Sequence, residues 1–263
     1  MASTDPTGLA RRAEAAAHWF TTLGHRTERV PGLASFTTDP ARPDHWDANH
    51  AALVETDDPV ALKAALDSRM AHTSWRVVRT GAGTPPAIEA ALLLDGFSCH
   101  STLIQMVARE PAKPAPVTSS RPVMDEADWQ RLLPLVRADK EEGGDTRDPL
   151  PDPVVDAIVA SYRRMTPAAT FHLIEEDGLA TGYGCTARAP NGLGLVEHLF
   201  MLPERRSRGI MAGFIASAGA ALVAGGAEAI TLGARAGERP RRLYARLGFR
   251  PVATTRLWVQ RAG

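Results

Sequence analysis

Leu202-Pro203-Glu204-Arg205-Arg206-Ser207-Arg208-Gly209-Ile210-Met211, with Leu243-Tyr244-Ala245-Arg246-Leu247-Gly248-Phe249 downstream of it, is the pair of segments on which the fold turns. The first is a basic turn whose glycine opens a helix. Its apolar positions Ile210, Phe214, Ala218 and Leu222 recur at helical spacing as far as Val223, and Gly225-Gly226 stop it where a left-handed residue costs least. The second is a compact helix from about Arg239 to Leu247 with Pro240 in its first turn and Gly248 as its stop. Between them Ala229 to Leu232 reads as a short buried strand, and Val252 to Thr255 and Leu257 to Gln260 as two closing strands.

Upstream, Asp125 to Lys140 and Val154 to Arg164 read as helices, the first with Trp129, Leu132, Leu133 and Val136 inward, the second with Val155, Ile158, Val159 and Tyr162. Thr170 to Glu175, Leu179 to Arg188 and Leu193 to Leu202 follow as strands, parted by the turn signals Glu176-Asp177-Gly178 and Ala189-Pro190-Asn191-Gly192. Residues 109–122 hold four prolines, which deny backbone donors and favour extended chain, and mark a linker between domains 1–108 and 123–263.

The first half echoes the second. Thr84 to Phe97 is another capped helix closing on Gly-Phe, between the strands Trp75 to Arg79 and Thr102 to Val107. Placing Gly96 on Gly248 gives an offset of 152 residues (248 minus 96), which brings Val60 to Arg69, begun by Asp58-Pro59, near the helix after Gly209. The repeat implies a duplicated fold.

Composition bounds the chemistry. Thirty basic and thirty acidic side chains leave no net charge, so no nucleic-acid partner is implied, and 44% hydrophobic residues are ample for two cores in 263 residues. Cys99 and Cys185 stand far apart, which fits a reducing compartment with neither disulfide framework nor structural zinc. Met1 to Ala17 has no signal-peptide core and no apolar run is long enough for a membrane span, so a cytoplasmic protein is expected.

Arg206-Ser207-Arg208-Gly209-Ile210-Met211 resembles the pyrophosphate loop of the GNAT acyltransferase superfamily, which reads Gln or Arg, any, any, Gly, any, Gly or Ala. Pro203-Glu204 and Tyr244 through Phe249 match its flanking pattern. The resemblance covers roughly residues 117 to 263, with the first half a weaker copy, and implies an α/β (α+β mixed-sheet) fold of two tandem GNAT-like domains. Met211 departs from the family's Gly or Ala, narrowing the cradle, and Gly237 and Pro240 stand where many members carry Asn and Ala.

The loop makes physical sense as an anion cradle at the positive pole of a helix dipole, with Arg206 and Arg208 as charged donors. From Pro203 to Arg250 nine arginines face three acids, an excess of six that suits a phosphate-rich ligand; a solvated arginine face is the plainer reading. The resemblance implies acetyl-CoA or another acyl-coenzyme A as co-substrate, held by Met201, Leu202, Arg206, Ser207, Arg208, Gly209, Ile210 and Met211. It implies splaying of the strand ending at Met201-Leu202 from Ala229 to Leu232 and an amide near Met201 on the thioester carbonyl. Tyr244 would protonate the leaving thiolate, against the alternative of a tyrosine packed between Leu243 and Leu247. Glu197, or else its neighbour His198, would take the proton of an amine acceptor; strand alternation puts the two on opposite faces, so one of them reaches the cleft.

Cys185 lacks a base partner and reads as packing. In the first half Leu92 replaces the tyrosine and Glu55-Thr56-Asp57-Asp58 the basic loop, so that copy is degenerate and binds no coenzyme A. His45-Trp46-Asp47-Ala48-Asn49-His50 reads as a polar turn or an acceptor grip, and the five-residue spacing of its histidines does not suit a metal. The expected protein is a monomeric or homodimeric N-acyltransferase, needing no metal and acting on a small-molecule amine rather than a protein amine. A sensor or scaffold that binds acyl-CoA without turnover, O-acyl transfer and decarboxylation are the alternatives.

Overall fold

The computed structural model describes residues 6–110, 112, 119–143, 149–237 and 239–262; residues 111 and 113–118 of the proline-rich linker lie outside them. The chain forms two compact units. The first comprises residues 1–107, 233–242 and 250–263, the second 108–232 and 243–249.

In chain order the first unit contributes α1 (Pro6–Thr21), β1 (Arg26–Val30), β2 (Ala34–Thr38), a 3-10 turn at Trp46–Ala48, β3 (His50–Ala52), α2 (Pro59–Arg69), β4 (Trp75–Thr80), α3 (Pro86–Leu94) and β5 (Ser98–Ala108). The second contributes β6 (Ser119–Pro122), α4 (Glu126–Gly143), α5 (Asp152–Met165), β7 (Ala169–Glu176), β8 (Leu179–Arg188), β9 (Leu193–Met201), a 3-10 turn at Pro203–Arg205 and α6 (Ile210–Ala224). Then come β10 (Ala229–Arg235), α7 (Pro240–Arg246) and β11 (Arg250–Arg261).

Two expectations are corrected here. Ser119–Pro122, read as linker, is an edge strand antiparallel to β7, from Ser119 opposite Glu175 to Pro122 opposite His172; an edge is where a proline, lacking a donor, can sit. The two closing strands are one, β11, which runs through register shifts at Pro251/Ala253 and Leu257/Trp258.

β11 also belongs to the first unit. It lies between β4 and β5, antiparallel to both, in the order β1-β2-β3-β4-β11-β5. Its Trp258 joins the first core with Phe36, Leu62, Leu66, Val78, Ile88 and Phe97, and its indole N–H donates to Thr80 Oγ1 at 2.9 Å.

The second unit carries an antiparallel meander, β6-β7-β8-β9, followed by β10 parallel to β9. Phe171, packed against Trp129 and Tyr162, marks the face covered by α4 and α5, while Phe214 of α6 reaches His172 on the other face. The two helix-to-strand corners of the repeat agree in detail. Gly96 and Gly248 have φ of 85° and 92°, and the amides of Phe97 and Phe249 donate to the carbonyls of Leu92 and Tyr244 at 2.9 and 3.0 Å. Both are left-handed glycine caps, so the offset read from sequence is a structural repeat.

Candidate active site

β9 and β10 pair only over Leu193–Leu195 and Ala229–Thr231, so Val196–Met201 runs on without pairing to β10. That divergence is the splay implied for the segment ending at Met201. Leu202 N–H donates to Thr181 O at 2.9 Å, and the chain then turns through Pro203–Arg205 into α6.

The turn is shaped by two left-handed residues, Ser207 at φ 64° and Gly209 at φ 82°. Gly209 is the N-cap of α6 and supplies no side-chain hydrogen bond; its carbonyl begins the helix by accepting from Gly213 N–H at 2.9 Å. A polar cap side chain would ordinarily bond the second or third amide of the helix, here Met211 or Ala212. Ser207, Arg208 and Gly209 are exposed, Ile210 is buried and Met211 half-buried.

The arginines are placed differently from the expectation. Arg206 donates from Nε to Met201 O at 2.9 Å, lies over the Phe200 ring and forks onto Glu142 of α4, whose carboxyl it holds below the usual range. Arg205 and Arg208 both reach Glu176, at 2.8 and 3.3 Å. The excess of six counted along the segment is thus partly neutralised in three dimensions by acids distant in sequence.

Glu197 sits opposite Cys185 in the β8–β9 ladder. Between Tyr183↔Phe200 and Cys185↔Glu197 the register slips, and His198 takes φ 51°. This bulge cancels the alternation on which the opposite-face expectation rested. His198 lies 4.7 Å from the Tyr162 ring and 5.9 Å from Phe171, the residue paired with Cys185 on β7, so it shares a face with Glu197. No turn residue announces the bulge in Val196-Glu197-His198-Leu199-Phe200.

That face holds residues the sequence reading passed over. Tyr183 Oη donates to Asp139 Oδ2 at 2.6 Å, and Lys140 Nζ lies 3.0 Å from the same oxygen. Burial raises the pKa values of Tyr183 and Tyr162, keeping both phenols protonated; it acts against the Lys140 ammonium, whose pKa is nevertheless raised by Tyr162 and Asp139. Helical spacing marked Tyr162 as apolar core, which its ring is, but its hydroxyl is buried beside Tyr183 and Lys140.

Cys185 is fully buried, and burial, then the nearby Glu197 charge, pushes its thiol well above the ordinary value. An uncharged thiol there packs and does not attack. Tyr244 is buried at the end of α7, its ring 6.3 Å from Phe249. In the first unit Asn49 and His50 are buried; Asn49 accepts from Asp39 N–H and donates to the carbonyls of Arg42 and His45, so the polar turn is a structural tie. Among the described residues no cluster of three or more His, Cys, Asp or Glu could hold a metal, and no helix is long and apolar enough to cross a membrane.

A parallel strand pair that diverges in front of a glycine-capped helix, after an antiparallel meander, defines an acyltransferase fold of the GNAT type. Residues 129–249 match the profile of the Acetyltransferase (GNAT) family. No curated protein matches it. Among solved structures, a GCN5-related N-acetyltransferase from Kribbella flavida is 19% identical with TM-score 0.65, and 97% of each chain is covered. A conserved protein of unknown function from Staphylococcus epidermidis is 9% identical with TM-score 0.67, covering 92% of this chain and 96% of its own. A tandem GNAT protein from the clavulanic acid biosynthesis pathway is 14% identical with TM-score 0.58, covering 89% and 81%. These likenesses establish the tandem GNAT-type fold.

Proposed function

We propose that the second unit transfers an acyl group, most simply acetyl, from coenzyme A to a small-molecule amine by direct attack in a ternary complex. The observation that carries this reading is the stretch Val196–Met201, which pairs with β8 but not with β10, leads into the Gly209 turn and bears Glu197 and His198 on one face.

Glu197 takes the proton of the substrate ammonium, without which the nitrogen has no lone pair to attack with. His198, on the same face, is the alternative base. The C–N bond forms as the C–S bond breaks. An amide at Met201 stabilises the oxyanion, a contribution of about 2.7–4 kcal/mol in comparable sites. Tyr244 then donates its phenolic proton to the departing thiolate, of similar basicity. Gly209 leaves the α6 dipole open to the pyrophosphate, with Ser207, Arg208, Ile210 and Met211 around it and Leu202 and Arg206 at the entry.

The test is coenzyme A release from acetyl-CoA over a panel of amines, with Glu197→Gln expected to slow turnover about 100-fold at neutral pH and to recover partly at alkaline pH. An unchanged rate would move the base to His198. A second reading, a sensor that binds acyl-CoA without turnover, is favoured by the pairing of Arg206 and Arg208 with Glu142 and Glu176. It prevails if acetyl-CoA binds and no amine releases coenzyme A, and product masses separate O-acyl transfer and decarboxylation.

A further inference from the structure

The first unit contains a cavity of about 60 Å³. It lies where β3 leaves β4 after the single parallel pair Ala51↔Val78, and is walled by α1, β5 and β11. At roughly 10–15 Å³ for each water-sized position, it takes about four to six non-hydrogen atoms.

Its wall holds polar atoms that the fold leaves unmatched. Gln105 is 3% exposed, and its Oε1 has no hydrogen-bond partner among the described residues. The same holds for His18 Nδ1, whose opposite nitrogen lies 3.1 Å from Ser35 Oγ, and for Arg79 Nε. Buried away from water, such groups are costly to leave unmatched.

The charges on the wall have a definite balance. Arg79 pairs with Asp47 and Arg256 with Glu89, so neither guanidinium is uncompensated. Glu14, 6% exposed, accepts from Gly83 N–H at 3.2 Å but has no ion pair among the described residues. Burial raises its pKa, against the Gly83 and Ala82 amides and Arg11. Burial, aided by Arg79, lowers the His18 pKa to about 4 and keeps that ring neutral.

We propose that this cavity is a binding site for a small primary ammonium compound, held by the Glu14 carboxylate and Gln105 Oε1, with its short apolar body against Leu53, Leu103 and Leu257. The ammonium supplies a positive charge and three donors to a wall whose unmatched charge is negative and whose buried amide oxygen needs a donor. The site stands in the degenerate copy and requires no coenzyme A.

The experiment is calorimetric titration of ethanolamine into the full-length chain and into its Glu14→Gln and Gln105→Leu variants, with ethanol and acetate as probes lacking the ammonium. The intact chain should bind one ethanolamine saturably, and each variant at least tenfold more weakly. Gln105→Leu should unfold at no lower temperature, because it removes an unmatched buried acceptor; Glu14→Gln preserves shape if that variant fails to fold. Absence of binding to the intact chain, binding that survives both substitutions, or equal binding of ethanol would each overturn the proposal, the last leaving a water-filled void. Neither residue belongs to the second unit, so loss of acyl transfer with this binding intact would refute only the catalytic reading, and the reverse would refute only this one.

Discussion

The turns that open α2 and α6 occupy corresponding places in the two copies and treat an anion in opposite ways. At α2 the N-cap is Asp58, whose Oδ1 accepts from Val60 and Ala61 N–H at 2.9 and 3.1 Å, with Pro59 contributing no donor. At α6 the N-cap is Gly209, with no side chain to place there and a left-handed φ that most residues avoid. One helix thus carries its own carboxylate on its first amides, whereas the other has no side chain over them. A carboxylate at the cap position keeps the helix while closing its N-terminus to an outside anion.

The same contrast runs through the paired positions Leu92 and Tyr244, equally buried at their glycine corners. Tyr244→Phe should lower turnover by about 100-fold or more with acyl-CoA affinity nearly unchanged. Steady-state rates beside direct binding measurements decide this, and an unaltered rate would make Tyr244 the packing equivalent of Leu92.

Titration should separate the copies next. His18 has a folded pKa of about 4 against 6.5 unfolded, so between those values the unfolded chain binds the proton first and stability falls as pH is lowered. From pH 7 to pH 5 the first unit should lose about 2 kcal/mol at this residue, a loss reduced in His18→Gln. Unfolding followed by Trp258 fluorescence would check it; identical pH profiles for the two proteins would refute it.

Gly209→Asp puts a carboxylate at the mouth of α6, in a left-handed conformation that strains it, and acetyl-CoA affinity should fall about tenfold through repulsion at the helix terminus. An unchanged affinity would mean that the pyrophosphate lies elsewhere. Smallest of all, Asp58→Ala should cost about 1 kcal/mol of stability, seen as a lower unfolding temperature, without creating coenzyme A binding in the first unit.

The second half was legible because its signals are local: Gly225 and Gly248 as helix stops and Asn191-Gly192 as a turn. The opening of the first half was not. α1 buries Ala10, Ala13 and Ala16, too small for strong contrast with their neighbours, and β1 is exposed along most of its length. At the candidate site the loop and Tyr244 stood out through the family resemblance, whereas the Asp139–Tyr183 bond and the carboxylate partners of Arg205, Arg206 and Arg208 arise from approaches of 29 to 64 residues in sequence. No local pattern encodes those.

β11 carries a consequence for synthesis. Because Arg250–Arg261 fills the place between β4 and β5, those two strands leave the ribosome without their common neighbour, and two facing rows of backbone donors and acceptors wait until the segment from β6 to α7 has been made. A stop codon introduced after Phe249 would leave residues 129–249 translated in full and strike instead at the first unit, whose unfilled slot would then be open to the corresponding strand of another molecule.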